Sequence, residues 1–229
     1  MTPRAGKEVK NAVYPARDFP ASPWTEYMLG DEDRRRKPMA VEVQESVSRR
    51  RFTRHEFHRM AEAGIFKPGE RVELIRGEII QMFSIGRRHV AFVNNLNQLL
   101  VTRLAGRGVV SVQNPVVLFE DSEPQPDLAV LRPRTNPAYK ELEPGAADVL
   151  LLIEVAESSL RYDRTTKLRL YAEAGIPEYW VVNCEAESIE THRTPTAAGY
   201  GDVTQLARTG TIALGAVPEV ALTLAEVFA

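Results

Sequence analysis

The apolar pattern is densest between Val149 and Ala156, where Val-Leu-Leu-Leu-Ile-Glu-Val-Ala runs almost without a polar break. A run of that length, rich in β-branched residues and bounded by Asp148 on one side and Glu157-Ser158-Ser159 on the other, predicts a strand buried on both faces. Strand alternation puts Leu150, Leu152 and Ala156 on the face of Glu154, with Ile153 and Val155 on the other. Glu154 is the one charge in the run. A carboxylate stripped of water there must be paired, protonated or bound to a cation.

Other segments carry weaker but readable periods. Thr53 with Glu56 three residues later is a capping-box pattern, and Phe57, Met60 and Ala61 continue it as a short amphipathic helix stopped by Gly64. Residues 72–75 and 78–82 read as a hairpin turned at Arg76-Gly77. Between 88 and 105, Val93, Leu96, Leu100 and Leu104 recur at helical spacing, with Gly106 and Gly108 beyond. Strand-like runs follow at 109–112, 115–119 and 127–131, then a polar loop from 132 to 147. Beyond the buried strand come a helix at 163–174, a strand at 178–182, a hairpin partner at 188–192 and a short C-terminal helix at 223–228. Strands and helices interleave without a regular βαβ repeat, which predicts an α/β fold with a mixed central sheet flanked by helices.

Composition narrows the class. At 229 residues with 44% hydrophobic and 26% charged positions, the chain suits one globular domain with a sizeable core. Residues 1–51 lack sustained periodicity and mix Pro15, Pro20, Pro23 and Pro38 with charge runs. They read as a flexible N-terminal extension, with the domain at 52–229. That extension carries 11 Lys and Arg against 8 Asp and Glu, and the whole chain has a net charge of −2. Arg34-Arg35-Arg36-Lys37 reads as a solvated tail before a nucleic-acid arm. Cys184 is the one cysteine, so an intramolecular disulfide and a cysteine-built zinc site are excluded, which suits a reducing cytoplasm. No apolar run reaches membrane-spanning length, and no signal-peptide core stands at the N-terminus.

Three residues suggest chemistry. Asp127 opens a strand directly after Pro126, at a sheet end, where sites on open sheets form. Glu154 needs a partner. Lys167 lies near the start of its helix but on the stripe shared with Leu170, Tyr171 and Ala174, a place that helix-dipole energetics does not favour for lysine. Asp, Glu and Lys on neighbouring elements of one sheet are what a metal-dependent phosphodiesterase needs. Their bland counterparts are a turn aspartate, a structural ion pair and a lysine snorkelling along the core edge. Glu73 and His89 are softer candidates. Glu73 sits beside the hairpin, where glutamates are usually exposed, and His89 shares the buried stripe of its helix. His55 and His58 stand on a short helix and, with His192, show no zinc spacing. No phosphate-binding glycine loop and no nucleophile elbow is present.

The segments V-E-L-I-R-G-E-I (72–79), Q-P-D-L-A-V (125–130), L-L-L-I-E-V-A-E-S-S (150–159) and Y-D-R-T-T-K-L-R-L-Y-A-E-A-G-I-P-E-Y-W-V-V (162–182) resemble the bacterial Uma-two-type putative restriction endonucleases, of the PD-(D/E)XK nuclease superfamily. The resemblance spans about residues 52–195. It implies a restriction-endonuclease-like fold, with Asp127 and Glu154 as metal ligands. The superfamily's lysine normally stands two residues after the acidic residue, where this chain has Ala156; Lys167 matches the lysine that the family carries in the following helix. The expected function is a Mg²⁺-dependent endodeoxyribonuclease, Mn²⁺ substituting, with Asp127, Glu154 and Lys167 catalytic, DNA as partner and a cytoplasmic homodimer as default. The alternative is a catalytically inactive nuclease-like module that binds DNA or protein.

Overall fold

The computed structural model describes residues 48–82, 85–134 and 139–229, and residues 48–229 form one compact unit. Most of the expected extension, including Arg34–Lys37, lies outside the described residues.

Helix α1 (Arg54–Glu62) begins at the capping box expected of Thr53 and Glu56, with the Glu56 amide and carboxylate both engaged. The hairpin β1 (Val72–Ile75) and β2 (Glu78–Gln81) follows as its own two-stranded sheet. Arg76 and Gly77 both take positive φ, 51° and 74°, as a tight two-residue hairpin turn demands. Helix α2 (Arg87–Leu104) ends where Ala105 adopts the left-handed conformation.

The main sheet has six strands in the order β3-β4-β5-β6-β7-β8. These are β3 (Val109–Val112), β4 (Leu128–Leu131), β5 (Val149–Ala156), β6 (Glu178–Asn183), β7 (Ser188–Thr196) and β8 (Gly199–Leu206). Only β5 and β6 run parallel, so the sheet is mixed, as the sequence predicts. Their crossover is helical: α3 (Leu160–Tyr162), a π-helical turn at Asp163–Lys167, and α4 (Leu168–Glu173). β9 (Thr211–Leu214) pairs with β10 (Val217–Thr223), and α5 (Leu224–Val227) closes the chain behind a second capping box at Thr223 and Glu226.

Every residue of β5 is buried. Ile153 and Val155 pack with Leu96, Leu100, Trp180 and Phe228 beneath α2, while Leu152 and Ala156 pack with Leu170, Tyr171 and Tyr179 beneath the crossover. Leu150 departs from the expected alternation and joins the α2 side. The pairing of β4 with β5 shifts between Val130 and Leu131, which face Leu151 and Val149, so Leu150 is the extra residue of a bulge. Residues 115–119 also differ from the sequence reading. They make isolated bridges, Val117 to Gly145 and Phe119 to Ser122, and form no ladder. The second half of the hairpin region, β8 to β10, is mostly exposed or short and gave little apolar signal.

Candidate active site

The register of β4 with β5 sets the first two residues. Leu128 faces Ile153, so Asp127, one step before β4, comes level with Glu154 at the same end of the sheet. The Val155 amide donates to Asp127 Oδ2 at 2.9 Å, which ties the two strands at that point. Asp127 Oδ1 accepts from Gln113 Nε2 at 3.2 Å and lies 2.9 Å from His89 Nε2. Burial pushes the Asp127 carboxyl up, but the bond and attraction from His89 and the donors Val155 and Gln113 outweigh it and hold the carboxyl below its ordinary range.

Lys167 arrives from the crossover. Its Nζ donates to Glu154 Oε1 at 2.9 Å and lies 3.1 Å from Glu73 Oε2. Tyr171, one turn along α4, donates to the same Glu154 Oε1 at 2.7 Å. Glu73 Oε2 also accepts from the Gln125 amide at 3.1 Å, so the loop ahead of Asp127 is fastened to the β1 hairpin. Glu73, Glu154 and Lys167 are only 2%, 4% and 3% exposed. A charge so deeply placed survives only with close partners, and here three charged groups supply one another. Burial opposes the Lys167 ammonium, yet the carboxylates of Glu154, Glu73 and Asp163 prevail and hold its proton more firmly than usual. Burial drives the Glu154 carboxyl well up; Lys167 pulls it back, while Asp163, Asp127 and Glu73 add to the rise.

The π-helical turn bears directly on this geometry. It places Asp163 and Lys167, its first and last residues, both in the interior. Such turns are rare and gather at functional sites. The Ser159 hydroxyl donates to Asp163 Oδ2 at 2.5 Å, and burial pushes the Asp163 carboxyl up to about 6 against the pull of Lys167.

These groups line one open cleft of about 560 Å³. Its walls include Glu73, His89, Asp127, Glu154, Asp163 and Lys167. All five residues singled out in the sequence therefore meet at one place. Glu73 is brought in from the hairpin, contrary to the usual exposure of hairpin glutamates, whereas Glu78 faces outward beside Arg51 at 3.4 Å. Asp163, Tyr171 and Gln113 are participants that pattern reading passed over. Asp163 was legible as a carboxylate four residues before Lys167, and Tyr171 as the next position on the same stripe. Gln113 read only as a break between strands.

The donor set suits a hard divalent cation. The hydrogen bonds to Glu154 converge on Oε1, and none reaches Oε2 among the described residues. That oxygen and the Asp127 carboxylate stand on one cleft wall, and hard cations take oxygen ligands. A second acidic cluster, His58, Glu123 and Glu143, differs in kind. Arg54 donates to Glu123 at 2.6 Å and to Glu143 at 2.8 Å, so a guanidinium already supplies the positive charge.

A family model described as Uma2, putative restriction endonuclease, matches residues 54–225. A crystal structure of a putative nuclease belonging to DUF820, from Anabaena variabilis, superposes with a TM-score of 0.61 at 14% identity, covering 77% of this chain and 97% of that one. That likeness speaks for the fold. No curated protein matches the chain.

Proposed function

The chain belongs to the Uma2 putative restriction endonuclease family, and from that premise we propose that it is a divalent-metal-dependent endonuclease acting on DNA. The observation that carries the reading is Lys167, which leaves the crossover helix to meet Glu154 at 2.9 Å on the wall of a cleft lined by Asp127. Ala156 holds the place where the superfamily keeps its lysine on the strand, and Lys167 would take over that role from the helix.

Asp127 and Glu154 would hold Mg²⁺, with Mn²⁺ as a substitute. When bound, the metal lowers the pKa of a coordinated water and neutralises charge on the scissile phosphate. The protein does the rest. Gln113, His89 and the Val155 amide fix the Asp127 carboxylate. Tyr171 and Lys167 fix one oxygen of Glu154 and leave the other for the ligand. Lys167 presents a permanent positive charge beside the carboxylates, where it stabilises developing negative charge on the phosphate. Glu73 holds the ammonium from the other side. We place the enzyme in the cytoplasm as a homodimer, one copy for each strand of the duplex.

The test is cleavage of plasmid DNA with Mg²⁺ or Mn²⁺. Glu154→Gln and Lys167→Ala should each lose metal-dependent cleavage by about 100-fold or more, as expected for removing a preorganised electrostatic contact. Retained cleavage in either variant refutes the assignment. Calorimetric titration to millimolar Mn²⁺ separates it from an inactive DNA- or protein-binding module, which would take up no metal.

A further inference from the structure

The cleft contains cations that its own carboxylates do not use. Glu73, Asp127, Glu154, Glu157 and Asp163 line it together with Lys167, Arg71 and Arg161. Lys167 is engaged by Glu154 and Glu73. Arg71 and Arg161 make no ion pair among the described residues, although carboxylates stand around the same space. Arg71 goes further: its Nη2 is shut away from solvent and has no hydrogen-bond partner among the described residues. The hydroxyl of Tyr162, which also lines the cleft, is buried and unpartnered in the same way.

Buried polar atoms are nearly always satisfied, so each orphan needs an explanation. Here three of them belong to residues that line one cleft: Arg71, Tyr162 and His89, whose Nδ1 has no partner while its Nε2 serves Asp127. Arg71 is held in place by its backbone: its carbonyl accepts from the Met82 amide at 2.9 Å, which extends the hairpin by one residue. Strand alternation then puts its side chain on the Glu73 face of β1, the face that meets Lys167. Tyr162 closes α3, immediately before Asp163. Burial and the nearby carboxylate of Glu73 hold its phenol proton more firmly than usual, so it offers a donor throughout the neutral range. A guanidinium has donors and no acceptor, and a neutral phenol can add one more donor. Both atoms are covered as the side chains stand, so Arg71 and Tyr162 must turn toward the open side of the cleft, where the partner they lack is an anion with several acceptor oxygens.

Resting on the nuclease reading, we infer that Arg71 and Tyr162 form a phosphate-holding subsite, which grips a backbone phosphate of the DNA next to the one that is cut. Arg71 is a positioning residue for the substrate strand. It satisfies its buried N–H on a non-bridging phosphate oxygen, and its planar fork suits that contact better than an ammonium would. Tyr162 donates to the same phosphate. Arg161, exposed at the cleft rim, adds attraction without fixed geometry. Because phosphates are alike along the chain, this grip fixes register and depth of entry and reads no base.

The experiment measures binding of a fluorescein-labelled mixed-sequence DNA duplex in EDTA, by anisotropy over a range of salt, and then the KM and kcat of cleavage with Mg²⁺. Arg71→Ala should weaken metal-free binding by about tenfold or more and lower the slope of log affinity against log salt by about one. In cleavage it should raise KM more than it lowers kcat. Arg71→Lys keeps the charge but not the fork and should fall between Arg71→Ala and the native protein. Tyr162→Phe should weaken binding several-fold with no change in salt slope. The two conservative variants carry the test should Arg71→Ala fail to fold. If the native protein cleaves DNA while Arg71→Lys and Tyr162→Phe bind and cleave as it does, the subsite is overturned and the nuclease reading stands. If the native protein neither binds nor cleaves DNA, both fall together.

Discussion

At the scale of single residues, Asp163 offers the cleanest dissection of charge and burial. Its folded pKa of about 6 lies above the model-compound value of 3.8, so between those values the native state binds more protons than the unfolded chain. Stability then falls as pH climbs from about 4 to 6, and the loss is complete above that window; a shift of this size corresponds to about 3 kcal/mol. Asp163→Asn keeps an acceptor for the Ser159 hydroxyl and removes the titration. Thermal unfolding should show it more stable than the native protein at pH 7.5, by up to about 3 kcal/mol, and nearly equal at pH 4. A difference that does not change with pH would show that the carboxyl is not forced to ionise in a dry place.

Lys167 answers a complementary question. Lys167→Met leaves Glu154 and Glu73 buried without their cation and should cost about 3–5 kcal/mol in chemical denaturation. Adding Glu154→Gln should recover part of that. It should not restore metal binding, which a purely structural ion pair would never have supported.

At the scale of elements, the strand that bears Glu154 and the stripe that bears Lys167 were legible because each set a charged residue in an apolar period. The hairpin was legible from its length and its turn, but its role was not. Nothing in Val72–Ile75 announces that Glu73 will be buried, since that depends on a crossover helix ninety residues away docking over it. The π-helical turn was equally silent: Asp-Arg-Thr-Thr-Lys has no sequence signature of a widened turn. The bulge at Leu150 has a similar cause, a register set by the neighbouring strand. Local chemistry therefore reports which elements exist, and long-range packing decides which side chains they share.

The hairpin turn makes this testable. Gly77 stands at positive φ, and a Cβ placed there would lie 2.5 Å from the Cβ of Arg51. Gly77→Ala should therefore cost at least about 1 kcal/mol. Because the strain falls on the element that carries Glu73, it should also weaken Mn²⁺ affinity in calorimetry. The same change in stability without a change in affinity would show that β1 does not hold the site.

At the scale of the whole molecule, ligand linkage gives a readout independent of catalysis. A cation held only by the native state raises stability by mass action, by about 2.7 kcal/mol at one hundred times its dissociation constant. Mn²⁺ should therefore raise the melting temperature of the native chain, and the rise should vanish in Asp127→Asn and Glu154→Gln. A rise of equal size in both variants would move the cation elsewhere, for instance to the cluster around Glu123. Among the described residues no helix is long and apolar enough to cross a membrane, which says nothing of a strand-built barrel.

The crossover that carries Lys167 follows the hairpin that carries Glu73 in chain order. During synthesis the early carboxylates leave the ribosome long before their lysine does. A growing polypeptide that ends before residue 167 lacks the one ammonium that stands between Glu73 and Glu154. Domains fold as units once their long-range contacts are available, so the cleft of such a fragment would stay unassembled. Scattering these residues along the chain thus times the assembly of the cleft: the ammonium between its carboxylates arrives only once the crossover has emerged.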